Sequence, residues 1–562
     1  MTRPIARPAF VLALLVALVT ILAAACAADD APQRLTLNIK VDPASLDPAH
    51  AVGTEAVSVQ RQLFRGLVRF DAALSIIPDV ALDVPSHENG GLSDNGRIYT
   101  FAIRDGARWS DGRPVTANDF VFALRRVLDP GEASEQAAAF HAIAGAAAYN
   151  TALLDDDGEP RSRPQAELDA LRDAVAITAL DANRLQITLT QPNPAFLQVL
   201  TLTAAFPVRA DVIQAHGPAW TRPGALVGNG PFTLSAWERD VRIVLSAVDD
   251  WWGGDVGVDS LEFRMTPDDN AAYAAYLAGE LDVVEVPTAL VPDVLANEVL
   301  AGQLTRTTDL TTVTFVFNTQ RAPFNDPDVR RAFAAALDRA TFVNAINGGI
   351  GQAAQGWLPP GLPGAELPAN PVTFDPDLAR TLLAQAGYDG PAFPSVELAF
   401  ANVGASPLQA EFAQEQFRRH LGVDVALTGL DPSAYGPRLF SGDFDIGLFF
   451  WTADFPHPEN WLPDLFTSDG PFNFGGWSNA AFDAAVAAAR SANDPDARLS
   501  AWRDAHAILM ADGPLAVLLH RERVRLVSPR VKNLILTPLD GQAAGDNFLF
   551  QTTRTDKLVA AR

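Results

Sequence analysis

The chain has 562 residues, a formal net charge of −25 at neutral pH and 48% hydrophobic residues. That length can bury several cores and implies about three folded units by the usual domain size, while the acidic balance argues against nucleic acid, whose phosphates need basic patches. The single cysteine excludes an internal disulfide.

Arg3 and Arg7 precede an apolar run from Phe10 to Leu22, and small residues lead from there to Cys26. This is the order of a secretory signal, so residues 1–25 are read as a signal peptide outside the fold. The place of Cys26 just after small residues resembles a bacterial lipoprotein cleavage site, which implies acylation there and a lipidated linker over 26–33. Ala23 stands where that pattern prefers leucine, so a plain cleavage site or a retained anchor stays open. No other run is long enough to span a bilayer.

Leu35, Leu37 and Ile39 alternate as a half-buried strand that ends in a proline turn, Ser45-Leu46-Asp47-Pro48, and a helix is expected from Thr54 to Leu67. Tyr99, Phe101 and Ile103 alternate before a turn, and Thr116 with Asp119 spells a capping box at a helix start. Trp109 and Asp111 read as a turn pinned by aromatic packing. The acids Asp155 to Asp157 lack the alternate ligand spacing of a calcium loop and read as solvated. Leu185, Ile187 and Leu189 give another strand, at which the first sheet is expected to resume. The bend Gly228-Asn229-Gly230 marks a tight turn or a close backbone approach. Strands are expected at 241–245 and 261–265, and a helix at 271–279.

A second unit begins near Thr311 with a strand carrying Val313, Phe315 and Phe317. Asp326-Pro327 and Asp375-Pro376 each open a helix, with aspartate as cap and proline in the first turn. A helix at 408–421 and a strand at 423–427 lead to the most informative stretch, Ser441 to Trp461. There an apolar strand from Ile446 to Trp451 runs into the turn Pro456-His457-Pro458-Glu459, and Asp454 stands at the junction. A partly desolvated carboxylate gains most by pairing with a cation. It can meet a ligand ammonium, cap the turn, or pair with an internal arginine. Trp451 reads equally as a cleft wall or as core. Beyond it come a helix near 482–489 and strands at 515–519 and 524–527.

Several of these stretches resemble bacterial extracellular solute-binding proteins of family 5, the oligopeptide and dipeptide receptors of ABC importers. The likeness rests on Ser45-Leu46-Asp47-Pro48, Leu63-Phe64-Arg65-Gly66-Leu67, the run from Phe101 to Pro130, the Gly228–Phe232 turn, Asp250-Trp251-Trp252, Gly442-Asp443-Phe444-Asp445 and Trp451-Thr452-Ala453-Asp454-Phe455. It implies an α/β, two-lobed periplasmic-binding-protein fold of type II, with an extra subdomain and a ligand cleft between the lobes. The expected parts are lobe I over 34–80 and 181–308, its inserted subdomain over 81–180, lobe II over 309–520, and a return to lobe I over 521–562. The resemblance further implies that Asp454 binds a peptide α-ammonium, with Trp451, Thr452 and Phe450 beside it. Asn229 would face the peptide backbone, and Gly53 lies in a loop that lines the cleft. The arginine that some oligopeptide receptors place before the tryptophan is missing, since Leu448, Phe449 and Phe450 fill that part of the strand; Arg438 is either its substitute or a surface arginine.

The implied function is a substrate-binding lipoprotein that takes a short peptide and passes it to a membrane permease, without a cofactor. It would act as a monomer at the cell envelope, tethered through Cys26. Against an enzyme, the sequence has no nucleophile elbow, HExxH pair, paired cysteine clusters or phosphate-binding glycine loop. A nickel receptor of the same fold is the nearer rival, with His420, His457 and His520 as candidate imidazoles. A non-transport lipoprotein that senses peptides has the same sequence appearance.

Overall fold

The computed structural model describes residues 33–554, apart from 51–52, 156–157, 366–372, 389–392 and 493. Cys26 and the proposed signal lie outside the described residues. Three sheets organise the molecule.

The first lobe is built on a four-stranded sheet in the order Arg34–Asn38, Ser260–Arg264, Arg242–Ala247, Phe232–Glu238. Its first strand runs parallel to Ser260–Arg264, so the chain makes a long excursion before the sheet closes. Leu35, Leu37, Leu245, Leu261 and Phe263 fill its buried face, as the period-two alternation requires.

Much of that excursion is the inserted unit. Its antiparallel sheet places Arg184–Thr188 between Ile98–Ala102 and Ile177–Asp181. The strand expected to resume the main sheet therefore belongs to the insertion, and the boundary at residue 180 falls too early. Leu185 and Ile187 pair with Phe101 and Tyr99 across the insertion's sheet, not with a strand of the first lobe's sheet; alternation fixes which residues face inward but not which sheet receives them. Helix Ala117–Val127 covers this sheet and starts at the expected capping box of Thr116 and Asp119.

Helix Thr54–Leu63 stops before the expected Leu67 because Phe64 is extended, with φ −133° and ψ 155°. The C-terminal segment returns to this helix. Ser58 Oγ donates to Asp546 Oδ2 at 2.7 Å, Arg61 pairs with Asp546 at 2.9 Å, and Gln62 Nε2 donates to the Asp546 carbonyl at 2.6 Å.

The largest sheet runs Val283–Glu285, Leu515–Val527, Leu304–Phe317, Ile446–Thr452, Val396–Ala401, Val425–Leu430, with Gln352–Ala353 beside the second of these. Two of its strands are long, at 14 and 13 residues. One end of this pair lies against Val283–Glu285 and the other enters the second lobe's core, so together they cross from lobe to lobe. Their ladder slips between Thr308 and Thr312 and again between Val313 and Thr314. Within the first slip, Asp309 is buried between Arg521 and Arg523, each with Nε 2.9 Å from its carboxylate.

Helices Pro327–Ala335, Pro376–Gln385 and Ser406–Leu421 contribute to the core on one face of the second lobe's sheet, where Phe317 stacks on Phe324 at 4.9 Å and Phe333 meets Phe417 at 4.6 Å. On the other face Thr312 Oγ1 donates to the carbonyl of Trp357, whose indole donates to the Trp461 carbonyl at 3.0 Å. Helix Pro495–Asp512, which the sequence reading passed over, buries Trp502, Leu509 and Met510.

Candidate functional site

Strand Ile446–Thr452 is paired unequally on its two edges. Along one edge it is antiparallel to the crossing strand for its whole length, while along the other Val396–Ala401 meets it only at Ile446 and Gly447. Ala453 N–H donates to the Leu310 carbonyl at 2.9 Å. In an antiparallel ladder successive residues point their N–H and C=O to opposite edges. Phe449, Trp451 and Ala453 therefore face the crossing strand, and Leu448, Phe450 and Thr452 face the other edge. Tyr435 Oη fills the first of those positions by donating to the Leu448 carbonyl at 2.8 Å. The next two, at Phe450 and Thr452, meet no paired strand among the described residues, which leaves a short open edge suited to an added extended chain.

Asp454 lies two residues beyond this edge. Asn460, itself 3% exposed, holds it twice: Nδ2 donates to Asp454 Oδ2 at 3.0 Å, and Oδ1 accepts the Asp454 N–H at 2.8 Å. The Asp454 side chain keeps solvent-exposed surface, yet protein encloses it closely enough that desolvation pushes its carboxyl above the ordinary range, against the lowering effect of Asn460. Among the described residues no Lys, Arg or His forms an ion pair with it, unlike Glu459, which Arg490 Nε meets at 2.6 Å. Nearby, burial and then the charge of Glu459 raise Asp464 to about 7. The arrangement offers an unpaired anion at the end of a free hydrogen-bonding edge.

Trp451 is half-buried, with its ring 5.3 Å from Phe472. Thr452 turns its hydroxyl to that of Thr311 at 2.9 Å, so its main chain, not its side chain, faces the edge. Phe450 is 56% exposed. These three stand with Asp454 on one continuous segment.

Two other expected site residues, Asn229 and Arg438, have their polar side-chain atoms engaged elsewhere. Asn229 is 1% exposed, accepts the Arg65 N–H at 2.8 Å and donates to the Arg65 carbonyl at 2.9 Å. Its side chain is spent on ending the preceding helix, and its own carbonyl takes both Trp251 and Trp252 indoles. The flanking glycines permit this approach, since a Cβ on Gly228 or Gly230 would collide with the main chain of Leu63 or Gln62. Arg438 lies in helix Pro432–Phe440, ion-paired to Glu397 and donating to the Asp443 carbonyl at 2.7 Å, so it does not stand in for a carboxylate-binding arginine. Gly53 precedes helix Thr54–Leu63, and its carbonyl accepts the Val57 N–H.

The three histidines have separate local partners. His457 and His520 are each held neutral, near 4, chiefly by burial; His457 accepts the Glu459 N–H, and His520 Nδ1 lies 2.9 Å from Thr312 Oγ1. His420 packs edge-on against Phe374. Among the described residues no group of three His, Cys, Asp or Glu is placed to hold a metal ion. The sequence reading missed Asn460, whose signal is an amide six residues past the aspartate in a turn, and the open edge, which depends on where a distant strand ends.

A family model, bacterial extracellular solute-binding proteins, family 5 Middle, matches residues 75–473. The chain is 32% identical over 511 residues to the periplasmic murein peptide-binding protein MppA of Escherichia coli, covering 89% of this chain and 90% of that one. It is 28% identical over 529 residues to the oligopeptide-binding protein OppA of Bacillus subtilis, covering 92% of each. The solved structure of the Escherichia coli murein tripeptide binding protein MppA superposes with a TM-score of 0.75 at 30% identity, over 94% of this chain and 99% of that one. The architecture is accordingly the two-lobed type II binding-protein fold expected from the sequence. The chain belongs to the bacterial extracellular solute-binding proteins of family 5.

Proposed function

We propose that this chain captures short peptides between its two lobes and delivers them to an ABC permease, tethered to a membrane through acyl chains on Cys26. The observation that carries this reading is the pairing of a free strand edge at Phe450 and Thr452 with the unpaired carboxylate of Asp454. A peptide presents both complements: main-chain donors and acceptors at strand spacing, and an ammonium at one end. The names of the relatives, a murein peptide-binding protein and an oligopeptide-binding protein, agree with such a cargo.

Capture proceeds by closure about the two crossing strands. A ladder slip removes hydrogen bonds and increases local twist, and the slips at Thr308–Thr312 and Val313–Thr314 support a hinge in these strands. A ligand that touches both lobes binds the closed form better and draws the population toward it. The permease then recognises the closed shape of a single protomer.

Native mass spectrometry of the chain from Asp29 onward, purified without refolding, tests the cargo. Bound masses spaced as short peptides, lost in Asp454→Asn, are the expected result. A metal or sugar mass, or an empty protein after a broad peptide screen, overturns the peptide reading while leaving the fold untouched.

A further inference from the structure

The face of the open-edged strand that carries Phe449 and Trp451 continues into a closed circuit of aromatic rings. Phe449 lies 6.1 Å from Trp451 and 5.3 Å from Phe474; Phe472 lies 5.3 Å from Trp451 and 6.1 Å from Phe474; Phe440 lies 4.9 Å from Phe474 and 6.0 Å from Phe472. The five come from three segments: the end of helix Pro432–Phe440, strand Ile446–Thr452, and the loop after helix Pro463–Phe466. Rings gathered to build a core are dry, as Phe317, Phe324 and Phe333 are in the same lobe. Here none is fully buried: Phe440 is 61% exposed and the other four are partly open.

The Trp451 indole Nε1 is itself buried, without a hydrogen-bond acceptor among the described residues, so it is the ring and not its N–H that meets solvent.

The circuit is continuous with the proposed site. Trp451 stands three residues before Asp454, about 10 Å at the usual strand rise of about 3.3 Å per residue. An extended ligand on the open edge with its ammonium at Asp454 passes its second and third side chains over this ground. We infer that the wall formed by Trp451, Phe472, Phe449, Phe474 and Phe440 selects peptides with a bulky apolar side chain two or three residues from the ammonium end. This rests on the peptide reading and narrows it: the occupant is uncharged, large and apolar, because it covers exposed rings and brings no charge that must be desolvated.

Isothermal titration of the full-length secreted chain with four tripeptides tests it: tri-alanine, Ala-Phe-Ala, Ala-Ala-Phe and Ala-Glu-Ala. At least one phenylalanine peptide is expected to bind about ten- to a hundredfold tighter than tri-alanine, the range for burying one large apolar side chain. In Phe472→Ala that preference is expected to collapse. Phe440→Ala, at an exposed helix end where folding is not at stake, is expected to reduce it too. Equal binding of all four peptides, or tightest binding of Ala-Glu-Ala, overturns the inference and leaves the peptide reading standing. Failure of every peptide to bind overturns both.

Discussion

Replacing Asp454 by asparagine keeps the size of the side chain and its bond to Asn460 while removing the one unpaired anion of the site. Two unit charges 4 Å apart attract by about 4 kcal/mol at the effective dielectric of a protein surface, and by only about 1 kcal/mol in bulk water. Asp454 keeps exposed surface but is encircled, so the loss for an ammonium-bearing ligand is expected at about 2–5 kcal/mol. That corresponds to a rise in Kd of about thirtyfold to several thousandfold. The assay is calorimetric titration of both proteins with a tripeptide and with the same tripeptide acetylated at its amine. The two changes should not add: once the ammonium is gone, Asp454→Asn should cost little, because the cycle isolates the pair. Equal affinity of both proteins for the free-amine peptide refutes the assignment. So does an undiminished effect of the substitution on the acetylated one.

Asp464 titrates at about 7 in the native protein and near 4 when unfolded. As pH rises through 4 the unfolded carboxyl loses its proton while the native one keeps it, so stability is highest below pH 4 on this account and falls up to about pH 7. Urea unfolding of Asp464→Asn at pH 5 and pH 8 should show that part of the decline abolished, with the variant gaining most at pH 8. Asn229→Ala should cost about 2–4 kcal/mol, since the Arg65 N–H and carbonyl lose their partner in a buried place, while calorimetry on the folded variant finds ligand affinity unchanged. Asp309→Ala leaves Arg521 and Arg523 facing each other without their shared acid and should lower stability by about 3 kcal/mol in urea unfolding; no change would remove the pair from any part in holding the crossing strands.

Much of this was legible from local pattern. The caps at Thr116, Asp326 and Asp375 lie where the sequence places them, because a cap needs only its own first turn. Asp454 stands out as an acid between tryptophan and a proline turn, and among the described residues it has no cation partner. What escaped depends on contacts far along the chain. After Leu304, strand Leu304–Phe317 runs Thr305, Arg306, Thr307, Thr308 and Asp309, so its first half lacks the apolar alternation of its second, and its length is visible only against Leu515–Val527. The bend at Gly228 and Gly230 was evident, yet the direction of the Asn229 amide was settled by the helix end pressed against it. The open edge exists because Val396–Ala401 parts from its neighbour after two residues. No local property of Phe450 or Thr452 announces that.

The return of the C-terminal segment to helix Thr54–Leu63 bears on how the molecule is made. Ser58 and Asp546, joined by a hydrogen bond at 2.7 Å, are 488 residues apart in sequence. The first lobe therefore cannot complete its core until almost the whole chain has been synthesised, roughly 30–110 s at ordinary elongation rates. The second lobe between the crossing strands is contiguous and can condense earlier, whereas the first must wait on a closure whose entropy cost grows with the loop it spans. Throughout that interval the first lobe lacks its last fastening, and a truncation near residue 540 would undo the beginning of the protein rather than its end.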